Sequence, residues 1–471
     1  MKKEIKRPVV QSLGLSLEYY RQTMPDYVRR LEEQFLRFLA EIKPYADCCG
    51  SNLCCTQKEV EDAVKEAEQK GAESLLLVPL SYTASLATIR PIIQSSLPVV
   101  IWNTQEASAI TDNYSHDDLL MNHVTQGTQD LTNVLMRAGK IFGMESGHYR
   151  DQTVLAKLAE WLNAARAVQF AGQMRVGLLG SPFQDMGDFG VDETGMLCRW
   201  GPAVIRLSLP RFIQLIGKVD ENLLKQKLDE DLKTFDVASD IPEDIHLLSL
   251  RLEEALRILI KEENLDAFSM NFRDLIADGR IPTLPFLGIN KMLAEGLGYA
   301  GEGNVTIAAF MAQLRQLCGI SNFMEIYTVD YERNLMVMTH MQECNPALSR
   351  KDRKIRLVRK DFWAPGPKPY VGMHFTLEPG PVTLCNLTTD RNGDFYVIAV
   401  ETEIIDMPPF KNFDIPHWVV KLQEPVGDFL TKYSMLGGTH HLAAVPGKRV
   451  PAVEKLAVLQ GWKCCRITRS V

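Results

Sequence analysis

Two glutamates and a histidine in the second half of the sequence have the chemical character and the surroundings of ligands for a divalent cation. Glu302 lies between two glycines, directly before a segment with helical spacing of apolar residues, for which Asn304 is the predicted N-cap. The partial positive charge of a helix N-terminus favours an ionised carboxylate. Glu325 and His340 follow in apolar company, where an unpaired carboxylate is costly.

The segment that joins Glu325 to His340 predicts a β-hairpin that brings the two side chains together. Residues 323–329 alternate as in a strand, 330–334 have the composition of a turn, and 335–340 form a returning strand. A turn centred at 332/333 places Glu325 opposite His340, with Cβ atoms roughly 4.5–5.5 Å apart. Such a pair could share one cation. Taken singly, these residues are better explained as solvated glutamates and a core histidine. Their occurrence together in apolar or glycine-rich surroundings favours a metal site more strongly, and spacing alone leaves both interpretations open.

Four short motifs resemble the metal-site motifs of the L-arabinose isomerase family and occur in the same order. They are Gly-Tyr-Ala-Gly-Glu-Gly at 298–303, Asn-Phe-Met-Glu-Ile-Tyr-Thr at 322–328, Thr-His-Met-Gln-Glu-Cys-Asn-Pro at 339–346 and Gly-Gly-Thr-His-His at 437–441. The resemblance implies that Glu302, Glu325, His340 and His441 are metal ligands and that the two glutamates are the catalytic acid/base groups. Neighbouring residues of an extended segment point to opposite sides, so His440 is expected to face the substrate or to support the ligands.

The resemblance also implies where a sugar would bind. An aromatic residue that lines the family's pocket matches Phe272, although this residue is equally well explained as a core side chain. Met186 belongs to a polar and aromatic loop, 180–189, that follows a predicted strand and could form a wall for a small polyol. In the best register Gln126 replaces the family's substrate-side histidine. His123 lies close by and is better explained as a residue on a helix face.

Two carboxylates and two imidazoles without a thiolate are typical of a site for a hard or borderline cation. We expect Mn²⁺, with Co²⁺ or Mg²⁺ as alternatives. Such a cation polarises a sugar carbonyl and stabilises an enediolate, while a glutamate moves the proton between C2 and C1. By resemblance the reaction is aldose–ketose isomerisation of a free pentose or hexose through an enediol. A metal-guided hydride shift would use the same ligands, and the sequence does not separate the two routes.

Two other classes of function are compatible with the same residues. A metal-dependent sugar-phosphate epimerase or aldolase would need a phosphate cradle, and no Walker-type loop or arginine cluster is evident near the motifs. A non-catalytic sugar-binding relative could keep the fold without the chemistry. Within the isomerase interpretation, departures such as Asn304, where the family commonly has an aspartate, leave L-fucose, D-arabinose and D-galactose as candidate substrates beside L-arabinose.

The elements that position these residues fall into three predicted domains. Strand–helix alternation over 1–150 and again over 151–320 predicts an α/β fold with two doubly wound, Rossmann-like domains, which bind ligands at the carboxyl ends of their strands. Short strands and turns over 321–471 predict a mostly antiparallel β-barrel that carries most of the metal ligands. No G-x-G-x-x-G follows a strand, so a dinucleotide-binding function finds no support.

Composition is that of a soluble globular protein. The 471 residues carry a formal net charge of −7, with 46% hydrophobic and 24% charged residues, which argues against nucleic acid or an anionic membrane as the main partner. No apolar run has the length of a membrane span, and we expect a cytoplasmic protein with reduced cysteines. The role of the cysteine pairs at 48/49 and 54/55 stays open. The resemblance further implies a homo-trimer or homo-hexamer with sites shared between subunits.

Overall fold

The computed structural model describes residues 5–362 and 366–468. Contacts divide the chain into two compact units. The first comprises Ile5–Phe170 and Ala452–Trp462, and the second comprises Ala171–Pro451 and residues 463–468. The three-domain division at 150/151 and 320/321 stays a prediction.

The first unit contains a five-stranded parallel sheet. Its strand order is β2-β1-β3-β4-β5, the flavodoxin-like doubly wound arrangement. The strands are β1 (Val9–Leu15), β2 (Asp47–Cys54), β3 (Ser74–Pro79), β4 (Val99–Asn103) and β5 (Phe142–Ser146). The helices are α1 (Glu18–Thr23), α2 (Pro25–Ile42), α3 (Gln57–Gln69), α4 (Ile89–Gln94), α5 (His116–Met121), α6 (Thr125–Arg137) and α7 (Gln152–Ala171). Every residue of β3 is buried, which explains its nearly continuous apolar sequence.

The second unit begins with a four-stranded parallel sheet of order β10-β9-β6-β7. The strands of this region are β6 (Arg175–Leu179), β7 (Ala203–Leu207), β8 (Asp236–Val237), β9 (Ala267–Met270) and β10 (Gly298–Gly301). The helices are α8 (Glu193–Arg199), α9 (Leu209–Ile216), α10 (Glu221–Thr234), α11 (Glu243–Glu262), α12 (Phe272–Asp278), α13 (Phe286–Glu295) and α14 (Val305–Cys318). Helix α14 is buried on nearly all sides, as its apolar sequence requires.

A closed antiparallel barrel of six strands completes the second unit. Its order is β15-β18-β11-β12-β17-β16, and pairing of β15 with β16 closes the circle, so the barrel has no free edge of its own. Its strands and those around it are β11 (Asn322–Asp330), β12 (Leu335–Thr339), β13 (Arg356–Lys360), β14 (Tyr370–His374), β15 (Gly380–Thr389), β16 (Phe395–Ile404), β17 (His417–Lys421), β18 (His441–Pro446) and β19 (Lys463–Arg466). The last helices are α15 (Val426–Met435) and α16 (Val450–Gln460). The predicted fold class is confirmed.

The hairpin of β11 and β12 forms, but its register near the site differs from the predicted one. On the turn side the pairing is as expected, whereas an irregularity between Ile326 and Thr328 shifts the remaining pairs by one residue. Glu325 consequently pairs with Thr339, and the prediction that Glu325 directly opposes His340 is wrong. The physical reason is a β-bulge, in which β11 carries one extra residue relative to β12. The bulge changes the direction of the side chains that follow it.

No helix in the described ranges is long and apolar enough to cross a membrane.

Candidate metal centre

Glu302 lies at the carboxyl end of the parallel strand β10, in the short turn that leads into α14. Its backbone has a φ of 63°, a left-handed conformation that is uncommon for a residue with a side chain and is found where the surroundings impose it. The carbonyl of Glu302 accepts a hydrogen bond from the Phe183 N–H at 2.9 Å. At Gly303, where φ is 83°, an added Cβ would lie 2.6 Å from the Pro182 Cα. The turn therefore requires glycine after Glu302 and fixes the direction of its carboxylate.

Glu325 and His441 are paired residues on the neighbouring barrel strands β11 and β18. The Nε2 atom of His441 is 3.2 Å from Glu325 Oε1 and 3.4 Å from Glu302 Oε2. His441 is fully buried, and this nitrogen has no hydrogen-bond partner among the described residues. Buried polar atoms are nearly always satisfied. A nitrogen that faces two carboxylates without a hydrogen bond is thus suited to a cation.

His440 completes the most compact group of potential ligands. One ligand atom from each of Glu302, Glu325, His440 and His441 lies within 4.8 Å of all the others. The Nε2 atom of His440 is 3.7 Å from both Glu302 Oε2 and Glu325 Oε1. Strand β18 begins only at His441, so the alternation expected of an extended segment does not apply to the two histidines. Three predicted ligands join this group, together with a histidine predicted to face the substrate.

His340 lies beside the group and is held by a buried carboxylate. Its Nε2 atom is 3.6 Å from Glu325 Oε1, and its Nδ1 atom is 2.7 Å from Glu343 Oε2. Glu343 also accepts a hydrogen bond of 3.0 Å from the Tyr299 hydroxyl. His340 and His440 thus face the same carboxylate of Glu325 from different elements. The site offers five donors in all, and the ligand set that includes His340 stays a prediction.

The electrostatics of the metal-free site favour an ionised Glu302 and a protonated His340. Burial acts to raise the pKa of Glu302, but its contacts with His440 and His441 and the charge of His340 hold that pKa well below its usual range. Burial acts to lower the pKa of His340, whereas Glu343 raises it, with a net pKa of about 9. His340 therefore carries a charge that a bound cation would replace if His340 is a ligand, because metal binding displaces protons from its ligands.

The other predicted site residues lie at the carboxyl ends of parallel strands or near them. Phe272 begins α12 and is buried, with its ring centroid 5.9 Å from that of Phe183. Met186 lies half-buried in the loop after β6. Gln126 is exposed in the first turn of α6, in the first unit. The substrate contacts assigned to these three residues stay predictions.

The loop after β6 supplies two functional residues that the sequence analysis missed. Asp188 accepts hydrogen bonds from the backbone N–H and the ring Nδ1 of His440, and the ring of Phe189 stacks on His441 with centroids 5.1 Å apart and an interplanar angle of 4°. Asp188 and His440 are 252 residues apart, so no spacing could have linked them. The polar and aromatic character of residues 180–189 was the available signal.

Asn304 has two roles at the base of the site. Its Oδ1 atom accepts a hydrogen bond from the Ile307 N–H at 3.0 Å and caps α14 as predicted. Its Nδ2 atom is 3.1 Å from the Nδ1 atom of His441. The same side chain therefore joins the start of the helix to the buried histidine.

The donors at this site fit a divalent cation. Carboxylate and imidazole ligands without thiolate suit Mn²⁺, Co²⁺ or Mg²⁺. The residues come from β10, β11 and the start of β18, so a parallel sheet and a barrel jointly supply them. The structure supports a divalent-metal site and leaves the identity of the metal to experiment.

Comparison with known proteins places these elements in one family. The L-arabinose isomerase central domain matches residues 190–319, and the L-arabinose isomerase C-terminal domain matches residues 320–463. The two matches together cover more than half of the chain and include all four clustered residues. They also join in the second unit, where the parallel sheet and the barrel meet.

Individual relatives extend the match. The L-arabinose isomerase of Serratia proteamaculans is 22% identical over 358 residues, which is 73% of this chain and 70% of the relative. That of Geobacillus thermodenitrificans is 23% identical over 365 residues, 75% of this chain and 72% of the relative. That of Mannheimia succiniciproducens is 22% identical over 424 residues, 87% of this chain and 84% of the relative. The family and the enzyme class predicted from the motifs are confirmed: this chain belongs to the L-arabinose isomerase family of sugar isomerases.

Proposed function

We propose that the protein is a divalent-cation-dependent aldose–ketose isomerase that acts on a free pentose or hexose, with L-arabinose as the first substrate to test. The observation that carries this proposal is the convergence of two carboxylates and two imidazoles within 4.8 Å, with His441 Nε2 buried and unpartnered. We expect Mn²⁺ as the cation, with Co²⁺ or Mg²⁺ as alternatives. Family membership supports the reaction class.

The elements that carry the ligands suggest which roles the two glutamates have in proton transfer and in cation binding. When bound, the cation would act as a Lewis acid towards the sugar carbonyl. Glu302 approaches from the parallel sheet, and its lowered pKa keeps it ionised at neutral pH, so it can accept a proton. Glu325 approaches from the barrel, paired with His441. We propose that one carboxylate takes the C2 proton and returns it to C1, while the other holds the cation.

A screen for ketose formation tests the proposal. Protein stripped of metal is assayed with Mn²⁺, Co²⁺ or Mg²⁺ against L-arabinose, L-fucose, D-arabinose and D-galactose, each as free sugar and as a phosphorylated sugar. We expect turnover of a free aldose that disappears without the cation. Glu302→Gln should reduce kcat by about 10³-fold, in the range of a lost acid/base group. Glu332→Gln, on the exposed turn between β11 and β12, is the matched control. Unchanged activity in Glu302→Gln contradicts the assignment.

The enediol route has its own test. Proton transfer by a glutamate exchanges the migrating hydrogen with solvent, so the ketose formed in D₂O should carry deuterium at C1. Complete absence of deuterium, with turnover intact, contradicts the enediol route and favours a hydride shift.

We also propose a cytoplasmic homo-trimer or homo-hexamer in which the first unit contributes to a neighbouring subunit's site. Gln126 is exposed in α6 and is the residue predicted to face that site. Analytical ultracentrifugation measures the assembly, and Gln126→Ala should raise KM more than it lowers kcat. A monomer with full activity overturns the proposal.

A further inference from the structure

The loop Ser181–Gly190 is tied at several points to the elements that hold the candidate metal centre. Near its start, the Ser181 N–H and hydroxyl donate to Asp274 Oδ2 at 2.7 and 2.6 Å. The Phe183 N–H then donates to the carbonyl of Glu302. At its far end, Asp188 and Phe189 contact the two adjacent histidines. The loop is therefore positioned by α12 and by Glu302 before it reaches the histidines.

A single oxygen of Asp188 receives two hydrogen bonds from His440. The distance from Oδ2 is 3.0 Å to the backbone nitrogen and 2.5 Å to the ring Nδ1. Together these bonds fix both the backbone and the ring orientation of His440. An ionised carboxylate only accepts hydrogen bonds, so the Nδ1 atom of His440 must carry the hydrogen. In the neutral ring the lone pair is then on Nε2, which lies 3.7 Å from Glu302 and from Glu325.

We propose that Asp188 is a positioning residue that presents Nε2 of His440 to the site as an electron-pair donor. In this state His440 can bind a cation through Nε2 or accept a hydrogen bond from a sugar hydroxyl, and it cannot donate one to a carbonyl oxygen. Histidine ligands commonly use such a partner to set the tautomer and the ring direction. The consequence for turnover rests on the proposed function, whereas the consequence for cation affinity does not.

The test compares three variants of the loop. Mn²⁺ affinity is measured from the EPR signal of the free ion. We expect Asp188→Ala to weaken binding by about 10- to 100-fold if His440 is a ligand, with a changed visible spectrum in the Co²⁺-loaded protein. Asp188→Asn keeps an oxygen that can accept both hydrogen bonds and should restore affinity close to wild type. Gln184→Ala, at an exposed position of the same loop, should have no effect.

If His440 instead contacts the sugar, Asp188→Ala should leave Mn²⁺ affinity unchanged and raise KM more than it lowers kcat, again with recovery in Asp188→Asn. Either pattern supports the proposal. It is overturned if Asp188→Ala matches wild type in affinity, Co²⁺ spectrum and KM, or if Asp188→Asn is as defective as Asp188→Ala. Weaker Mn²⁺ binding in a protein that isomerises no aldose would remove the proposed function and leave the role of Asp188 intact. Circular dichroism confirms that each variant is folded.

Discussion

Two histidine–carboxylate pairs flank the site and differ in how they are built. His340 and Glu343 are three residues apart, and both side chains are 3% exposed. His440 and Asp188 are 252 residues apart in sequence, with side chains 37% and 38% exposed. Both pairs direct an Nε2 atom at Glu325, at 3.6 and 3.7 Å. One histidine–carboxylate pair is thus buried inside the fold, and the other is formed by a loop at the surface. Water strongly screens the electrostatic attraction only in the second pair, Asp188–His440.

The difference in burial indicates that the two histidine–carboxylate pairs have different roles. A buried ion pair is costly to break, because removing one partner leaves an uncompensated charge. A half-exposed pair can lose its charge at little cost to folding and can respond to a ligand. We infer that Glu343 and His340 maintain the structure of the site, whereas Asp188 orients His440 with little effect on folding. Four predictions test this comparison.

The largest expected effect is on stability. Glu343→Gln should lower the free energy of unfolding of the metal-free protein at neutral pH by about 3–5 kcal/mol, because it removes the nearest carboxylate from the buried charge of His340 and leaves that charge facing Glu325 at 3.6 Å. Asp188→Asn should change it by no more than about 1 kcal/mol. Urea unfolding measures both, with Glu332→Gln as the surface control. Equal losses of unfolding free energy in Glu343→Gln and Asp188→Asn would contradict the different roles inferred for the two pairs.

The buried pair should also show a characteristic pH dependence. The pKa of folded His340 is about 9, above the ordinary 6.5, so its contribution is fully present below pH 6.5 and disappears as pH rises through 9. The difference in unfolding free energy between wild type and Glu343→Gln should therefore shrink between about pH 6 and pH 10, by at most on the order of 3 kcal/mol, because Glu325 and Glu302 also raise the pKa of His340 and remain in the variant. Urea titrations across this range, with EDTA present, measure it. A difference in unfolding free energy that does not change with pH would show that His340 is not protonated in the folded protein above its ordinary pKa.

Proton release on metal binding identifies the histidine that serves as ligand. A ligating imidazole must lose its proton, and His340, with a pKa of about 9, holds one at pH 7.5. If His340 binds Mn²⁺, wild type should release about one proton more than His340→Asn, and the affinity should rise with pH up to about 9. Calorimetry in buffers of different ionisation enthalpy counts these protons. Equal release by wild type and His340→Asn, with release lost in His440→Asn, would assign the ligand to His440.

The smallest effect concerns the space around each histidine. An added Cβ at Gly301 would lie 2.8 Å from Cε1 of His340, whereas one at Gly187, in the loop beside Asp188, meets no atom within 4 Å. Gly301→Ala should weaken Mn²⁺ binding by about 10-fold, as displaced ligands do, and Gly187→Ala should not. The EPR titration described above measures both. Equal affinities would mean that the position of His340 is unimportant for the cation.

The comparison also explains which parts of the molecule the sequence could predict. Strand–helix alternation and short β-strands gave the fold class, because both patterns are local. The capping role of Asn304 and the hairpin of β11 and β12 were local as well. The bulge near Thr328 was not predicted, because the register of β11 must satisfy both β12 and β18. Strand periodicity specifies neither partner.

The same limit applies to the site. Glu302 and Glu325 could be found because each lies among apolar or glycine-rich neighbours, and His441 could be found because its motif resembles that of the family. Asp188 could not, because its contact with His440 depends on where the loop after β6 meets the residue that precedes the barrel strand β18. Such a contact leaves no periodic signal in the sequence. Glu343, which lies in the motif of His340, was also not singled out, whereas Asp188 and Phe189 both lie on the loop.

The closed barrel restricts where this enzyme can change. Glu325 and His441 are paired on neighbouring strands of a closed barrel. A change in the register of either strand would break hydrogen-bonded pairings with both of its neighbours. The fold therefore fixes the distance between Glu325 and His441. We therefore expect variation that alters which sugar is accepted to come from the segment 181–190 and other loops, where a library for new substrates is best begun.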